Sequence, residues 1–341
     1  MVGARARGRP GAIVIEATGI RDVPSGPLLR IGHDRYIEGL KQLVEAVREA
    51  SHGETKIFIQ LIDFLSVRRR PDPVKYYERF LRITDRHREA LHLEGASDDA
   101  VRAAILTLDD AQKLALLDER ERESLEKGHR ERVTDTELQH IADLPERLPR
   151  LFADAAVRAA KAAFDGIELH YAHAYTMSSF LSRTNDRADG YGGSVEGRLQ
   201  LPLEVYRAVR GAVPSTVAVG CRMLAEECIE GGSTVQDSRA YAVAFAEAGM
   251  DFLSLSRGGK FDDALAPKVG EAVYPYTGPS GYECMPSYYS DAKGPFGRNN
   301  QAAESIRSTL RAKGLQTPVI VAGGVYNFER AEALLVDGIA D

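Results

Sequence analysis

Gly166-Ile-Glu-Leu-His-Tyr-Ala-His-Ala-Tyr175 joins a short apolar run to a group of polar side chains. The first half is predicted to be a buried β-strand, because short apolar runs bounded by helical and loop sequence favour strands. This strand delivers His170 at its carboxyl end, and His173 and Tyr175 follow at once. In parallel sheets the carboxyl ends of the strands form one edge, where ligands and substrates bind. The stretch therefore predicts both a strand and a candidate active site.

Similar short runs occur along the whole chain, and each is followed by a helical pattern or a long connection. This alternation is typical of a parallel sheet covered by helices. The predicted strands are Ala12–Ala17, Lys56–Leu61, Gly166–His170, Thr216–Arg222, Asp251–Ser256 and Thr317–Ala322. The predicted helices lie near residues 35–51, 146–163, 195–213, 235–249, 299–313 and 327–337. A Rossmann fold is disfavoured, because no G-x-G-x-x-G motif follows the first strand.

Two connections are much longer than the usual few residues, and both follow a strand, which places them on the carboxyl side of the sheet. The first, 65–145, is charged and mostly helical, and its Leu114, Leu117 and Leu125 suggest one helix with an apolar face. The second, 257–298, is rich in Gly, Pro and Tyr and either shapes the active site or packs as an ordinary loop. The predicted organisation is barrel units in 1–64, a helical insertion that caps the carboxyl face in 65–145, and barrel units in 146–341.

Composition excludes several classes of protein. The 341 residues are 44% hydrophobic and 28% charged, an ordinary globular balance that excludes a disordered or fibrous chain. The net charge of -6 argues against a nucleic-acid-binding protein. No apolar run approaches the roughly 20 residues of a membrane-spanning helix. The three cysteines, Cys221, Cys228 and Cys284, are too few and scattered for a disulfide framework, so a cytoplasmic location is expected.

The polar residues after the central strand suit catalysis. Two imidazole N–H groups, from His170 and His173, can hold one substrate oxygen and stabilise the negative charge that builds on it. One such donor is commonly worth about 3 kcal/mol of barrier. Tyr175 is protonated at pH 7, since the ordinary tyrosine pKa is about 10, and can act as a general acid. The spacing alone leaves open a zinc site of two histidines or ordinary hydrogen-bonded histidines.

Further motifs extend this pattern. H-x-x-H-x-Y is followed by Phe180-Leu-Ser, by N-x-R-x-D-x-Y-G-G-S over 185–194, and by Glu196-x-Arg198. Together they resemble the Old Yellow Enzyme family of FMN-dependent NAD(P)H oxidoreductases. Flanking segments agree with it, namely Ile15-Glu-Ala-Thr18, Ile59-Gln-Leu61, Gly220-Cys-Arg222 and Val321-Ala-Gly-Gly324. The resemblance covers most of the chain outside 65–140 and implies a (β/α)₈ TIM barrel with FMN at its carboxyl face.

The resemblance also implies which residues hold the cofactor. Ala17 and Gln60 would contact the isoalloxazine ring. Arg222 would lie near the flavin N1 and O2 atoms, where a cation favours the anionic reduced ring. The backbone N–H groups of Gly323 and Gly324, before a helix, would hold the FMN phosphate. NADH or NADPH would supply the hydride, and no metal is expected.

For the substrate, the resemblance implies that His170 and His173 hold the carbonyl oxygen of an activated alkene while Tyr175 protonates its α-carbon. Two positions near this site depart from the family pattern. Asp63 stands where the family has a histidine, and Ala174 stands where the usual residue is glycine. The change at Asp63 replaces an active-site donor by an acid and leaves the substrate class open.

The family alignment predicts an incomplete barrel. The first predicted strand corresponds to the family's second strand and the last to its seventh, so the first and eighth strands are expected to be missing. Three enzymatic functions remain open: reduction of an electron-poor alkene, oxidation of an amine or alcohol and, last, hydrolysis with a metal held by His170 and His173. A truncated, flavin-free remnant without activity is the non-enzymatic alternative. The exposed strand edges of such a barrel would favour pairing with a second copy. The expected partner is otherwise a small-molecule substrate.

Overall fold

The computed structural model describes residues 2–23, 28–258, 267–271 and 296–341. Its strands are β1 (Ala12–Gly19), β2 (Leu29–Arg30), β3 (Lys56–Ile62), β4 (Gly166–Tyr171), β5 (Ala218–Leu224), β6 (Leu253–Ser256) and β7 (Val319–Val321). They form one parallel sheet in the order β2-β1-β3-β4-β5-β6-β7. The six predicted strands are confirmed. Strand β2 is absent from the prediction, because two residues are too few to show a hydrophobic period.

Strand β4 lies in the middle of this sheet and is buried along its whole length. Ile167, Leu169 and Tyr171 belong to the main apolar core that the sheet shares with the helices. Glu168 and His170 point to the opposite face, since successive side chains alternate across a strand. We call the face that carries Glu168 and His170 the inner face. Parallel strands covered on both sides are buried in this continuous way.

The described ranges contain fourteen helices, some of which cover the outer face while others form the insertion between β3 and β4. They are α1 (Val2–Ala6), α2 (Ile37–Ala50), α3 (Pro73–Lys75), α4 (Asp85–Ala90), α5 (Asp98–Thr107), α6 (Asp110–Ala115), α7 (Glu119–Lys127), α8 (Gln139–Ala142), α9 (Leu144–Lys161), α10 (Thr176–Leu181), α11 (Val195–Ala212), α12 (Val235–Glu247), α13 (Asn300–Ala312) and α14 (Phe328–Val336). A 3₁₀ turn (Asp34–Tyr36) and a π turn (Tyr76–Phe80) complete the set within the described ranges. Neighbours in the series α1, α2, α9, α11, α12, α13 contact one another, which matches the strand order.

The insertion between β3 and α9 has a small apolar core of its own. Its buried members are Tyr76, Tyr77, Leu81, Ile83, Val101, Ile105, Leu117 and Leu125. The single helix expected around Leu114, Leu117 and Leu125 is wrong. The chain breaks into α6 and α7, because the Asp118 side chain accepts a hydrogen bond from the Glu121 backbone N–H and starts a new helix.

The barrel is not closed in the described part of the chain. Strands β2 and β7 are the two edges of the sheet, and they do not pair with each other. On the inner face near these edges, Val14 of β1 is 44% exposed and Ile320 of β7 is 41% exposed. These side chains would be buried in a closed barrel, because its interior is filled by side chains. The prediction of an incomplete α/β barrel is therefore confirmed.

Part of the long second connection lies outside the described residues. This includes Cys284 and the tyrosines of this connection, Tyr274, Tyr276, Tyr282, Tyr288 and Tyr289. Among the described helices, none has both the length and the apolar character needed to cross a membrane.

Candidate active site

The three predicted catalytic residues lie together at the carboxyl end of β4. His170 is the fifth residue of the strand, and the chain then turns through His173 and Ala174, whose φ angles are 66° and 56°. Both angles lie in the left-handed region, which favours glycine. The glycine that the resemblance leads us to expect before the tyrosine would suit this conformation, and Ala174 in its place costs about 1 kcal/mol. The turn folds His173 back onto His170.

The two histidines form a short hydrogen-bonded chain. Nδ1 of His173 lies 3.3 Å from Nε2 of His170, and Nε2 of His173 lies 2.7 Å from Oγ of Ser256. The ring of Tyr175 packs against His170 with the ring centres 5.6 Å apart. Nδ1 of His170 is buried and has no hydrogen-bond partner among the described residues. A buried polar atom without a partner is costly, so this nitrogen is a natural contact for a bound molecule.

Both histidines are held neutral. Burial and, to a smaller extent, the positive charge of the Arg222 guanidinium together lower the pKa of His170 to about 3. Burial also brings the pKa of His173 well below its usual range, with added repulsion from His170 and Arg222. Each ring therefore carries a single N–H at pH 7. Neutral imidazoles can donate a hydrogen bond to a substrate oxygen without charging the site.

Arg222 supplies the positive charge. It lies on β5 directly opposite His170 in the register of the sheet. Its Nη1 and Nη2 atoms donate to Oγ of Ser254 at 3.4 Å and Oγ of Ser256 at 3.3 Å. Ser256, the last residue of β6, contacts both Arg222 and His173 and therefore connects the guanidinium to the histidine pair.

Gln60 and Glu168 form the next layer of the inner face. The Gln60 amide donates from Nε2 to Oε1 of Glu168 at 2.5 Å. Burial raises the pKa of Glu168, while the hydrogen bond from Gln60, the charge of Arg222 and a hydrogen bond from Ser254 oppose that rise. Because Glu168 takes the N–H side of the amide, the Gln60 Oε1 atom is left to accept a hydrogen bond from a bound molecule.

Ala17 lies at an irregularity in β1. Ile15 pairs with Ile59, and Thr18 pairs with Leu61. Between these pairs β1 has two residues, Glu16 and Ala17, whereas β3 has only Gln60. This is a β-bulge, a device that redirects side chains next to functional sites. The structure thereby brings Ala17 and Gln60 to the same level of the sheet.

Gly323 and Gly324 lie at the far edge of the sheet, directly after β7. Their φ angles are 94° and 71°, which a residue with a side chain adopts only under strain. A Cβ atom at Gly323 would meet no other atom within 4 Å, so close packing does not explain this glycine. Asn299 donates from Nδ2 to the carbonyl oxygens of Leu255 and Ala322 and ties this turn to β6.

Three polar residues of the inner face are absent from the predicted site, namely Glu168, Ser254 and Ser256. Their signal is present in the sequence, since each lies in or at the end of a predicted buried strand. What the sequence does not give is the register that aligns β4, β5 and β6. A metal centre finds no support, because the described residues contain no group of three or more His, Cys, Asp or Glu side chains placed to hold an ion.

The sequence profile of the NADH:flavin oxidoreductase / NADH oxidase family matches residues 93–322, more than half of the chain. The chain belongs to this family. The match confirms the resemblance that the motifs around His170 indicate. Within the family, the chain is 31% identical over 343 residues to an NADH oxidase of Thermoanaerobacter brockii, an alignment that covers 99% of the chain and 41% of that relative.

Other family relatives agree. The chain is 31% identical over 260 residues to an NADPH dehydrogenase of Geobacillus thermodenitrificans, which covers 75% of the chain and 60% of the relative. Among solved structures, the Old Yellow Enzyme homologue of Zymomonas mobilis superimposes with a TM-score of 0.56 at 21% identity, covering 100% of this chain and 77% of that one. This likeness shows the fold. The chain spans less than two thirds of the length of the curated relatives named here.

Proposed function

We propose that this barrel binds FMN, accepts hydride from NADH or NADPH and reduces an electron-poor alkene or a similar acceptor. The observation that carries the proposal is the buried, neutral pair of His170 and His173 beside Tyr175 and the Arg222 guanidinium. All four stand at the carboxyl side of neighbouring parallel strands, where barrel enzymes carry their active sites. Membership in a family of NADH:flavin oxidoreductases supports the same chemistry.

The inner face fits a flavin. Arg222 would supply a fixed cation near the ring, and such a cation would stabilise the negative charge of the reduced flavin. Gln60 presents its amide oxygen beside the bulge at Ala17. Gln60 and Ala17 together would contact the edge of the flavin ring. When bound, FMN supplies a group that takes hydride from a nicotinamide and passes it to a second substrate.

The phosphate of the cofactor fits the turn after β7. Gly323 and Gly324 adopt left-handed conformations, and the space beside Gly323 is open. Their backbone N–H groups precede α14, and the start of a helix favours an anion. These two glycines would therefore hold the phosphate.

The substrate site is formed by His170, in β4, and by His173 and Tyr175, which follow that strand. His170 would donate a hydrogen bond to the carbonyl oxygen of the acceptor. His173 would hold the His170 ring in position through the contact between its Nδ1 atom and Nε2 of His170. The hydrogen bond from His170 stabilises the negative charge that develops on the oxygen, by roughly 3 kcal/mol for a well-placed donor. Tyr175 then delivers a proton to the α-carbon of the acceptor.

Oxidation of an amine is the weaker alternative. It would need an anionic side chain facing the substrate, and Asp63 is the only departure from the family pattern that introduces one. The Asp63 side chain has 0% of its surface exposed and accepts hydrogen bonds from Arg21 and Thr176. A carboxylate buried and bonded in this way does not bind a substrate cation.

The insertion 65–145 is proposed to cap the carboxyl face. It leaves the sheet at the carboxyl end of β3, and its Arg70 is hydrogen-bonded to the second long connection. The Arg70 backbone exchanges hydrogen bonds with Gly270 and Glu271, and its guanidinium donates to the carbonyl oxygen of Pro267 at 2.8 Å. The two long connections are therefore hydrogen-bonded to each other, which supports a cap on the carboxyl face.

Two further proposals concern the chain as a whole. The low cysteine content favours a reducing compartment such as the cytoplasm. The exposed inner-face residues Val14 and Ile320 favour pairing of two copies, and light scattering at several protein concentrations measures this.

The visible absorption spectrum tests the main proposal. The purified chain is incubated with FMN, desalted and scanned, and NADH or NADPH is then added without oxygen. We expect a retained flavin band that bleaches with one of the two nicotinamides and returns when an alkene with an adjacent carbonyl is added. A colourless protein after desalting would instead support the flavin-free remnant.

A further inference from the structure

Asp63, which follows β3, is the centre of a buried cluster beside the histidine pair. Its Oδ1 accepts a hydrogen bond from Nε of Arg21 at 2.5 Å, and its Oδ2 accepts one from Nη2 of Arg21 at 2.9 Å. Oγ1 of Thr176 donates to the same Oδ2 at 2.7 Å. Both carboxylate oxygens are used inside the protein, so Asp63 does not act on the substrate itself.

The partners of this carboxylate surround Tyr175. Thr176 is the next residue in the chain and the first residue of α10. Phe64, the neighbour of Asp63, packs edge-on against the Tyr175 ring, with the ring centres 5.1 Å apart at 84°. Arg21 also donates from Nη2 to the carbonyl oxygen of Phe64 at 3.0 Å. Asp63 therefore holds Thr176 directly, and its partner Arg21 holds the backbone of Phe64, whose ring packs against Tyr175.

We propose that Asp63 is a positioning residue that holds Tyr175 against His170. The proposal rests on the proposed function in which Tyr175 delivers the proton. Tyr175 follows two residues with positive φ, so the turn that joins it to β4 is strained. Such a turn keeps its conformation only if the chain after Tyr175 is also held in place. The hydrogen bond from Thr176 to Asp63 holds that part of the chain.

The residue type at position 63 suits this task. A carboxylate accepts several hydrogen bonds at once and balances the charge of Arg21. A neutral histidine, the residue type of the family pattern, accepts only one. The departure at Asp63 therefore exchanges an active-site donor for a support of the proton donor. A displacement of about 1 Å at a reacting group can cost roughly 100-fold in rate, so such a support has a measurable effect.

The first test observes Tyr175 directly. The chain is produced with 3-fluorotyrosine at position 175 alone, and its ¹⁹F spectrum is recorded without and with FMN. We expect one narrow resonance in the parent, and a shifted, broadened or doubled resonance in Asp63→Asn and Thr176→Val. Thr176→Ser keeps the hydroxyl and is expected to restore the narrow line.

Asp237 provides a matched control. It accepts hydrogen bonds from Nη2 of Arg198 at 2.9 Å and from Oγ1 of Thr234 at 2.9 Å, so it repeats the arginine–carboxylate–threonine pattern between α11 and α12. Asp237→Asn is expected to lower stability without changing the fluorine resonance. The proposal is overturned if the resonance is unchanged in both Asp63→Asn and Thr176→Val, or if Asp237→Asn changes it equally.

The second test measures the two half-reactions separately. Asp63→Asn and Thr176→Val are expected to slow reduction of the alkene about tenfold while leaving reduction of FMN by the nicotinamide unchanged, a loss that corresponds to about 1.4 kcal/mol. Equal slowing of both half-reactions would overturn the positioning role. A parent chain that does not retain FMN would refute the proposed function alone, because the fluorine spectrum of the FMN-free chain still decides the role of Asp63.

Discussion

Acid should destabilise this fold through His170. In the folded chain, burial and Arg222 lower the pKa of His170 to about 3, whereas an unfolded chain exposes a histidine with a pKa of about 6.5. Between these two values only the unfolded state takes up the proton. The stabilisation is therefore complete above pH about 6.5 and is lost progressively as the pH falls toward 3.

The expected size follows from the same two values. Well below pH 6.5 each pH unit costs about 1.4 kcal/mol, so lowering the pH from 6.5 to 4.5 removes about 2 kcal/mol through His170 alone. His173 acts in the same direction, because its pKa also lies well below the usual range. A domain with a typical stability of about 5–15 kcal/mol loses a large share of it over this interval.

Urea unfolding at pH 6.5, 5.5 and 4.5 measures the effect. The variant His170→Asn carries no titrating ring, so its free energy of unfolding should fall less steeply with pH than that of the parent, by about 2 kcal/mol between pH 6.5 and 4.5. His52→Asn is the control, because His52 is exposed and its φ of 53° tolerates asparagine. It should follow the parent. Equal pH dependence in the parent and His170→Asn would refute the idea that His170 is buried in its neutral form.

Three substitutions address the proposed chemistry. Tyr175→Phe should leave reduction of FMN by NADH or NADPH nearly intact and slow alkene reduction roughly 100-fold, as expected for loss of a general acid; equal losses in both half-reactions, measured by stopped flow, would exclude it as the proton donor. Arg222→Gln should weaken FMN binding by about 2 kcal/mol or lower the flavin potential, whereas the exposed Arg207→Gln should change neither in a fluorescence titration. Gly323→Ala should cost about 1–2 kcal/mol of stability in thermal unfolding, since its φ of 94° strains any side chain, and should weaken FMN binding; an FMN affinity equal to that of the parent would separate Gly323 from the phosphate site.

The sequence predicts the parts of this fold that repeat. Six strands follow from short apolar runs, and their helices follow from the period of the apolar residues between them. Strand β2 (Leu29–Arg30) carries no such pattern, because its two residues join the sheet only through the backbone of Thr18 and Gly19. The division of the insertion into α6 and α7 has a local signal, because Asp118 followed three residues later by Glu121 is a capping-box pattern; the prediction of one helix followed the apolar leucines instead.

The candidate site also has a part that the sequence predicts and a part that it does not. His170, His173 and Tyr175 are close in sequence, so a single strand and turn suffice to predict that they meet. Ser256 contacts His173 and Arg222 only because β5 and β6 pair in one register, and no local pattern encodes that register.

For Asp63, the sequence predicts the location at the active site correctly but suggests the wrong function. Its position after β3 and the family pattern both put it at the active site, where an acid in place of a histidine suggests new substrate chemistry. The deciding facts come from elsewhere in the chain: Arg21 after β1 and Thr176 after β4 converge on the carboxylate and leave it no exposed surface. A charged side chain is stable in such a place only when other groups satisfy it, so its function is set by its partners. The same reasoning applies to Ser256, whose value to the site lies in holding His173 and Arg222 at fixed positions.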